Sequence, residues 1–475
     1  MEVSSSAYLR DQRPLLRELL DRLCARYEYA SILAADTRSK RYSVSGRGVS
    51  ASEDDLFTKR GFVVRVLDGK GYGEYSFNRI SREEIPNILE RIDGELMAAR
   101  QMPEGVTAPS RPVPAEEERA FAASTEYEIH PEALGDERIL SHLTEIRKAG
   151  LAADEKILDC MVQANYQEIH KLFLSAKKDL EQNVMWTCGA LMMLASRGEE
   201  LKRCYQGYSA LGGAEVLSSM EQDVERVARS TIELLDSEPI VPGEYECVCN
   251  PDVTGMIVHE AFGHGVEMDM FVKDRAMAAS CIGEYVASPL VTMHDGAAAA
   301  KEAGTYFFDD EGTEAHDTLV IEKGILRRGI SDLVSAQTLG TEPTGNGRRE
   351  SFERKAYTRM TNTWFEGGKD KVEDMIASVK YGFLLEQPSS GMEDPKNWGI
   401  QCMVNTAREI RDGKLTGRIF SPIVLTGYVP DLLKSISMMS GDVKLAGGGM
   451  CGKGYKEWVK VSDGGPYIKA RIRLG

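Results

Sequence analysis

The stretch QCMVNTAREIRDGKLTGRIF, residues 401–420, decides the fold of the C-terminal half of the chain. Charged and apolar residues alternate on either side of Asp412-Gly413, a dipeptide typical of two-residue β-hairpin turns. The same pattern, with a Lys-Gly turn, occupies residues 318–330, and another alternating run occupies residues 467–474. Because hairpins pair strands antiparallel, we predict a β-rich C-terminal domain, an antiparallel and barrel-like sheet, over residues 241–475.

The N-terminal half of the chain mixes helical and strand-like periodicity. Leucines at helical spacing predict an amphipathic helix over residues 14–29, and alternating runs predict strands after it. Further helices are predicted over 82–101, 133–150 and 217–236, short strands over 31–36, 40–46 and 62–69, and two strands about a turn over 156–175. We therefore predict an α+β fold class, with an N-terminal α+β domain over residues 1–240.

Two proline-containing stretches predict the boundaries along the chain. Four prolines crowd residues 103–114, which is the strongest linker signal in the sequence. The run SEPIVPG, residues 237–243, marks a second boundary before the Gly-rich C-terminal half. The sequence thus predicts two domains, 1–240 and 241–475, with a Pro-rich linker inside the first.

Composition and charge exclude several classes of protein. Of 475 residues, 58 are Lys or Arg and 74 are Asp or Glu, so the formal net charge is −16. Nucleic acid and anionic membranes are bound through a basic face, which this acidic excess does not favour. The first twenty residues carry charges where a signal peptide needs an apolar run, and no stretch approaches the ~20 apolar residues of a membrane helix. Nine irregularly spaced cysteines favour free thiols, so we predict a cytoplasmic protein. From the charge and the absence of long apolar runs we predict that it binds neither nucleic acid nor membrane.

The segment NPDVTGMIVHEAFGH, residues 250–264, carries the candidate chemistry. Asn250 and Pro251 are the residue types preferred at a helix N-cap and first turn, which predicts that a helix begins there. On that helix Glu260 and His264 would project onto the apolar stripe. Burying a carboxylate and an imidazole is costly unless they are partnered or bind a metal ion. The segment therefore indicates a metal site that includes His259 and His264.

The spacing of the two histidines sets a geometric condition on that site. His259 and His264 are five residues apart, about 140° around an ideal α-helix, whereas the histidines of HExxH are four apart and converge on one ion. Gly263 and Gly265 flank the second histidine, and glycine permits a departure from helical geometry. We therefore predict metal binding at a helix that is distorted or ends at Gly263. The alternative is a buried pair of helix histidines bonded to backbone carbonyls.

A catalytic zinc site needs three protein ligands and an open position for water. Candidates for the third ligand are Glu267, Asp269, His294, His316 and Cys451, and spacing alone leaves the choice open. Cys451 lies in the run GGGMCGKG, residues 447–454, where little side-chain bulk covers its sulfur. Because a thiolate is a strong ligand for zinc, Cys451 is a chemically suitable choice.

The same glycine-rich run has two other interpretations. It nearly matches a P-loop, but Gly454 replaces the required Ser or Thr and the residues after it predict strands instead of a phosphate-binding helix. Nucleotide binding is therefore excluded. A cysteine peptidase, with Cys451 as nucleophile and a histidine as base, remains an alternative that leaves Glu260 and the second histidine without a role.

Five segments together resemble the TldD/PmbA family of metallopeptidases, in particular the TldD-like branch that keeps the metal motif. They are VHEAFGHGVEMD at 258–269, FDDEGT at 308–313, PTGNGRRES at 343–351, RMTNTWFEGG at 359–368 and MCGKG at 450–454. These segments follow the family order through nearly the whole C-terminal half. The N-terminal half is similar to the family in layout only.

The resemblance implies a zinc-dependent peptidase that acts on unfolded or extended peptides. By position in the motifs, His259, His264 and Cys451 would bind Zn²⁺ and Glu260 would be the general base. The resemblance also implies a two-subunit assembly, either a homodimer or a heterodimer with a PmbA-type subunit. The chain departs from the family after Cys-Gly-Lys, where Gly-Tyr-Lys-Glu replaces an acidic or Gly-Gln continuation, and this bears on local substrate contacts.

Two further motifs have a functional and a structural interpretation. Asn346 and Arg348 could bind a peptide backbone or carboxylate, or they could form a turn and a surface pair. The run Asp309-Asp310-Glu311-Gly312 is interpreted as an acidic turn, because the spacing of a calcium-binding EF-hand is absent.

A function from a different class also remains open. The chain could be a non-catalytic peptide-binding subunit of a two-subunit protease complex, with a structural zinc that Glu267 closes as fourth ligand. A scaffold does not need all of His259, Glu260, His264 and Cys451, so their presence argues against this alternative.

Overall fold

The computed structural model describes residues 1–68, 71–99, 112–447, 449–455 and 457–475, and it has the predicted α+β fold class. In the N-terminal half the helices are α1 (Ala7–Cys24), α2 (Ile85–Ala99), α3 (Pro131–Leu134), α4 (Asp136–Ala152), α5 (Ser218–Gln222) and α6 (Val224–Glu233). The strands of this half are β1 (Tyr29–Ser45), β2 (Gly48–Glu53), β3 (Lys59–Leu67), β4 (Tyr72–Phe77), β5 (Arg119–Ser124), β6 (Ile157–Ser175), β7 (Lys178–Arg197) and β8 (Glu200–Leu211).

One eight-stranded sheet contains β1–β8, in the order β4-β3-β1-β6-β7-β5 with β2 on β1 and β8 on β7. Its central strands β1 and β6 are long, so the predictions of separate strands over 31–36 and 40–46, and of two strands about a turn over 156–175, are wrong. Their pairing runs without a break from Ser31 opposite Ser175 to Val44 opposite Val162. The polar residues in the middle continue the strands because each backbone has a hydrogen-bonding neighbour on both sides.

The helices cover this sheet with apolar faces. In α1, which is capped by the Ser6 hydroxyl, the buried leucines 16, 19, 20 and 23 pack with α2 against β1 and β3. Helices α4 and α6 contribute to a second cluster against β6, β7 and β8. The predicted helices over 14–29, 82–101 and 133–150 correspond to α1, α2 and α4, whereas the one over 217–236 is divided at Asp223 into α5 and α6.

The C-terminal half has short helices and many strands. Its helices are α7 (Pro251–Met256), α8 (Met268–Val272), α9 (Leu333–Leu339), α10 (Val372–Ala377) and α11 (Val429–Lys434), and a π-helix follows α7 over Ile257–Gly263. Its strands are β9 (Gly243–Cys249), β10 (Met293–Asp295), β11 (Thr318–Glu322), β12 (Ile325–Leu326), β13 (Gly347–Arg348), β14 (Tyr357–Thr358), β15 (Asn362–Phe365), β16 (Tyr381–Asp394), β17 (Gly399–Arg411), β18 (Lys414–Phe420), β19 (Ile423–Tyr428), β20 (Met438–Met439), β21 (Lys444–Ala446), β22 (Met450–Lys453), β23 (Glu457–Lys460), β24 (Ser462–Gly465) and β25 (Ile468–Leu474).

A closed barrel forms the centre of the C-terminal half. Strand β16 pairs with both β9 and β17, which closes the ring β9-β25-β19-β17-β16. The β17–β18 hairpin turns at Asp412 and Gly413, whose φ angles of 48° and 75° are those a tight hairpin turn requires. The predicted β-rich, barrel-like architecture is therefore confirmed, although β9 and β16 run parallel.

The π-helix lies against the barrel, and this contact positions the candidate site. Ile257 and Phe262 share one buried core with the barrel residues Cys247, Cys402 and Leu425. Beside the barrel stands a six-stranded sheet in the order β12-β11-β10-β15-β24-β21, and β22 and β23 form a separate two-stranded hairpin. The candidate site lies where the π-helix meets this hairpin.

The two halves of the chain meet through charged and aromatic contacts. Arg65 of β3 pairs with Glu311, and Lys171 of β6 pairs with Asp310. The predicted linker near residues 103–114 lies mostly outside the described residues, and the boundary between residues 240 and 241 stays a prediction. Among the residues described, no helix is both long enough and apolar enough to cross a membrane.

Candidate metal centre

The helix that carries the first histidine begins as predicted. The Asn250 side chain accepts a hydrogen bond from the backbone N–H of Val253 at 3.0 Å, and Pro251 is the first residue of α7. This cap fixes the start of the helix where β9 leaves the barrel, and so it determines which residues face the barrel one turn later.

After Met256 the helix widens into a π-helix, which meets the condition set by the spacing of the histidines. The backbone N–H of His264 donates to the carbonyl oxygen of His259, the five-residue hydrogen bond of a π-turn. Residues five apart therefore lie above one another, and the two imidazole ring centroids are 5.1 Å apart. Widened turns of this kind occur often at functional sites.

The π-helix ends at Gly263, so the predicted helix that is distorted or ends at this residue is present. Gly263 has φ −59° and ψ −49°, so it keeps the right-handed conformation that any residue can adopt. What the position requires is space, because a Cβ there would lie 2.1 Å from Sδ of Met360. The glycine thus allows a neighbouring chain segment to approach the π-helix.

Three donor side chains converge at this point: His259, His264 and Cys451. One ligand atom from each lies within 4.8 Å of the others, and Sγ of Cys451 is 3.6 Å from Nε2 of His264. The His259 and Cys451 residues are only 5 % and 4 % exposed. The structure therefore brings together two imidazoles and a thiol from sequence positions almost 190 residues apart.

A carboxylate orients the second imidazole. Nδ1 of His264 lies 3.1 Å from Oε2 of the buried Glu267, and a hydrogen bond donated by Nδ1–H leaves the Nε2 lone pair directed towards Cys451. Lys453 donates to the same carboxylate oxygen at 3.0 Å and to Asp269 at 2.6 Å. This is the carboxylate–histidine arrangement that supports metal ligands in proteins.

The hairpin that carries Cys451 is fixed from behind by a buried arginine. Arg359 donates to the backbone carbonyl of Cys451 at 2.6 Å and to that of Glu457 at 3.0 Å. Since Arg359 is 1 % exposed, its two bonds join the β22 and β23 strands to the interior. The backbone of the residue that carries the sulfur is thereby bonded to the buried Arg359.

The charges of the three donors are strongly linked. Burial alone would raise the pKa of the Cys451 thiol, but the positive charges of His264 and His259 lower it well below its usual value. Burial would lower the pKa of His259, and the Cys451 thiolate raises it to about 9. The cluster is thus a thiolate balanced by protons on imidazoles, which a divalent cation can replace.

Glu260 follows His259 on the π-helix and is partly exposed. Strand β16 passes close beside it, because a Cβ on Gly391 would lie 2.3 Å from Cγ of Glu260. Its charge is the smallest of the influences that act on the pKa of His259, which it raises. Glu260 is therefore adjacent in sequence to one of the donors and partly accessible to solvent.

The other residues weighed as a third ligand lie outside the cluster of three donors. Glu267 and Asp269 bond Lys453, as described above. His294 is stacked on Trp364 and lies within 3.0 Å of carboxylates of Asp317 and Glu366. His316 likewise does not join the three donors in the described part of the chain.

The two residues predicted to contact substrate support the scaffold. Asn346 is fully buried and donates to Asp295 at 2.7 Å and to the carbonyl of Arg359 at 3.0 Å. Arg348 donates to the carbonyls of Met360 and Lys460, both at 2.6 Å. Their predicted role in peptide binding stays a prediction, and the full burial of Asn346 does not favour it.

The acidic run at 309–312 is a turn that rests on the N-terminal sheet. Asp309 accepts hydrogen bonds from the backbone N–H groups of Glu311, Thr313 and Gly347. Its neighbours Asp310 and Glu311 pair with Lys171 and Arg65. These carboxylates are occupied by contacts within the protein.

Three charged residues near the donors were not singled out from the sequence. Lys453 supports Glu267, Asp463 lies 4.0 Å from Nδ1 of His259, and Glu393 lies beside Gly265, where burial raises its pKa well above the usual value. The Cys-Gly-Lys run could have indicated Lys453. Nothing in the sequence pattern connects Asp463 or Glu393 to the histidines.

Comparison with known proteins identifies a family and several relatives. Residues 242–472 match the model of the PmbA/TldA metallopeptidase C-terminal domain. A protein from Methanothermobacter thermautotrophicus named metalloprotease is 26 % identical over 94 % of this chain and 95 % of its own length. A metalloprotease TldD homolog from Buchnera aphidicola is 33 % identical over 53 % of each chain, and a zinc metalloprotease TldD homolog from Saccharolobus solfataricus is 22 % identical over 93 % of this chain and 96 % of its own.

Solved structures share the fold over nearly the whole chain. TldE from Thermococcus kodakarensis aligns with a TM-score of 0.74 at 19 % identity, covering 97 % of this chain and 99 % of its own. A protein from Thermotoga maritima aligns with a TM-score of 0.78 at 18 % identity, covering 97 % and 100 %. At these identities the similarity establishes the architecture.

Proposed function

The chain belongs to the TldD/PmbA metallopeptidase family through residues 242–472, and from that premise we propose that it is a zinc-dependent peptidase that hydrolyses unfolded or extended peptides. His259, His264 and Cys451 hold the zinc ion, and Glu260 is the general base. A metallopeptidase is the class named for the relatives; the metal, the residues and the substrate are our proposal.

The assignment of zinc rests on the distance between Sγ of Cys451 and Nε2 of His264. Ligands at the usual Zn–S and Zn–N distances, set at a tetrahedral angle, stand about 3.6 Å apart. Sγ of Cys451 and Nε2 of His264 are 3.6 Å apart, and the tautomer favoured by Glu267 turns the free lone pair of Nε2 towards the sulfur. Imidazole and thiolate donors suit zinc, and three protein ligands leave a fourth position for water.

When bound, zinc supplies positive charge that polarises a peptide carbonyl and makes a water molecule more acidic. Glu260, next to a ligand and partly exposed, accepts the proton of the attacking water. The same carboxyl then donates that proton to the leaving amine. Glu267 and Lys453 take no part in proton transfer and keep His264 in the correct tautomer.

The assembly and location follow from the family and the chemistry of the thiol. We propose a homodimer or a heterodimer with a PmbA-type subunit, which the shared fold with TldE supports. All nine cysteines are free. We propose a cytoplasmic location, because a reducing compartment would keep Cys451 available as a thiolate.

The decisive experiment incubates a denatured protein substrate with the zinc-loaded chain, with and without a chelator. We expect cleavage that the chelator abolishes, together with about one zinc per chain. Glu260→Gln should retain the zinc and lose cleavage, whereas the control Glu145→Gln, at a carboxylate 66 % exposed, should change neither. Cleavage that survives both the chelator and Glu260→Gln would refute the proposal and favour Cys451 as a nucleophile. Bound zinc without cleavage would favour the non-catalytic subunit instead.

A further inference from the structure

A cavity of about 100 Å³ lies between the N-terminal sheet and the β22–β23 hairpin. Trp186 of β7 forms one wall, and Phe352, Trp458 and Lys460 of the C-terminal half line the others. None of the three metal donors is among the lining residues that the structure describes. The cavity is therefore separate from the candidate metal centre.

A buried lysine distinguishes this cavity from an ordinary packing gap. Lys460 is 6 % exposed, and its ammonium nitrogen lies 4.9 Å from the centroid of the Trp186 ring. Within the described part of the chain this ammonium has no hydrogen bond and no carboxylate within ion-pair distance. Burial lowers the pKa of Lys460, and the nearby acidic groups Cys188, Glu302 and Asp463, none of them within ion-pair distance, offset this only in part. A cation in such surroundings costs free energy unless an anion or a hydrogen-bond acceptor joins it.

A second cation of the cavity also lacks a carboxylate partner. The guanidinium of Arg348 donates to two backbone carbonyls and lies 5.3 Å from the Tyr306 ring, with no ion pair among the described residues. The other cationic residues of the lining are neutralised, since Lys171 pairs with Asp310, Arg349 with Glu74 and Lys59 with Glu353. Lys460 and Arg348 thus leave an excess of positive charge.

The acidic groups of the lining do little to offset that charge. Burial raises the pKa of Asp309, and its oxygens already accept hydrogen bonds from the backbone N–H groups of Glu311, Thr313 and Gly347. Glu350 is engaged by the backbone N–H of Trp458 at 2.8 Å and faces Arg354 at 3.7 Å. An anion entering the cavity therefore meets two cations and aromatic walls.

We propose that this cavity binds an organic carboxylate of about the size of one amino acid, either free or as the C-terminal residue of a peptide. Lys460 and Arg348 hold the carboxylate, and Trp186 and Phe352 contact the apolar body. The chemistry fits because charge-assisted bonds favour a carboxylate over a neutral amide, while the aromatic rings favour an apolar side chain.

This site goes beyond the proposed peptidase function and does not require the metal ion. Its position nevertheless links it to the metal centre, because Lys460 pairs with Met450 in the β22–β23 hairpin and Cys451 is the next residue. A ligand in the cavity would contact the same hairpin from the side facing the N-terminal sheet.

The test titrates the full chain, in the presence of a chelator, with N-acetylphenylalanine and with its neutral amide. Binding is followed by calorimetry and by tryptophan fluorescence, since Trp186 and Trp458 line the cavity. We expect the acid to bind at least about tenfold more tightly than the amide, as one charge-assisted bond allows. Equal binding of the two compounds, or tighter binding of inorganic phosphate, would overturn the proposal.

The variant Lys460→Met removes the charge and keeps the length of the side chain. It should abolish the preference for the acid and should keep or raise the melting temperature, because methionine is buried without the cost of a charge. The matched control Lys148→Met, at a lysine 65 % exposed, should bind like the wild type. A preference that persists in Lys460→Met would exclude the assigned role of this residue. The tripeptide Ala-Ala-Phe, compared with its C-terminal amide, shows whether a peptide terminus reaches the cavity, and binding by neither this acid nor N-acetylphenylalanine refutes the site.

Discussion

Nδ1 of His264 lies 3.1 Å from Oε2 of Glu267, and Nζ of Lys453 donates to the same oxygen at 3.0 Å. Burial would raise the pKa of Glu267, but Lys453 and His264 lower it, so the carboxylate stays ionised. An ionised carboxylate holds the proton on Nδ1 and leaves Nε2 free to bind a cation. Glu267, three residues after His264, therefore favours the tautomer of His264 that carries its proton on Nδ1.

The variant Glu267→Gln should therefore bind zinc more weakly than the wild type. Loss of a carboxylate behind a ligating histidine typically costs about 10–100-fold in metal affinity, and we expect a loss in this range. Competition with a chromophoric chelator measures it. The matched control is Glu366→Gln, because Glu366 lies 3.0 Å from His294, a histidine outside the donor cluster. An unchanged zinc affinity in Glu267→Gln would show that the contact has no supporting role.

The variant Cys451→Ser tests the third donor directly. Serine has nearly the shape of cysteine but is a much poorer zinc ligand at neutral pH, so we expect zinc affinity to fall at least about tenfold. Cys188→Ser is a suitable control, since Cys188 is partly buried and is not one of the three donors. Zinc binding that is equally tight in both variants would remove Cys451 from the site.

The sequence predicts the histidines better than it predicts the geometry that unites them. The types and spacing of His259 and His264 indicate a distorted helix, and the structure has one. At the end of the distorted helix Met360 closely approaches Gly263, a contact between residues 97 positions apart. No local pattern reports such a contact, so the sequence predicts a distorted helix but not the packing around it.

The lengths of β1 and β6 could not be predicted from local sequence either. Polar residues in the middle of β1 and β6 look like turns when each strand is considered alone. In the sheet, β1 and β6 each have hydrogen-bonded strands on both sides. This pairing of the backbones keeps both strands regular through their polar regions. Local signals did locate Asp412-Gly413, because that hairpin turn depends on its own two residues.

The contact at Gly263 can be tested by adding one methyl group. Gly263→Ala would place Cβ 2.1 Å from Sδ of Met360, so the buried Met360 side chain or the π-helix must shift. Overpacking of a core typically costs about 1–3 kcal/mol, which we expect as a lower melting temperature and weaker zinc binding. Gly94→Ala, in the interior of α2 with open space around it, should leave stability unchanged or improve it by up to about 1 kcal/mol. Equal melting temperatures for the two variants would contradict the proposed packing.

The contact between the two halves of the chain predicts a sensitivity to acid. Burial would raise the pKa of Glu74, but the guanidinium groups of Arg65 and Arg349 lower it well below its usual value. A carboxyl whose pKa is lower in the folded state stabilises the fold above its unfolded value of about 4.3, and that stability is lost as the pH falls towards the folded value. Glu74→Gln should therefore lower the free energy of unfolding by about 1.5–3 kcal/mol at pH 7, as expected for bonds to charged partners.

Between pH 5 and pH 3 the wild type should lose more stability than Glu74→Gln, because the variant has no carboxylate to protonate at this position. Urea unfolding at several pH values measures the difference. The control Glu353→Gln removes the exposed partner of Lys59, a pair at 3.1 Å with Glu353 52 % exposed, and should behave like the wild type. If Glu74→Gln and the wild type lose stability in parallel as the pH falls, Glu74 does not couple the two halves through its charge.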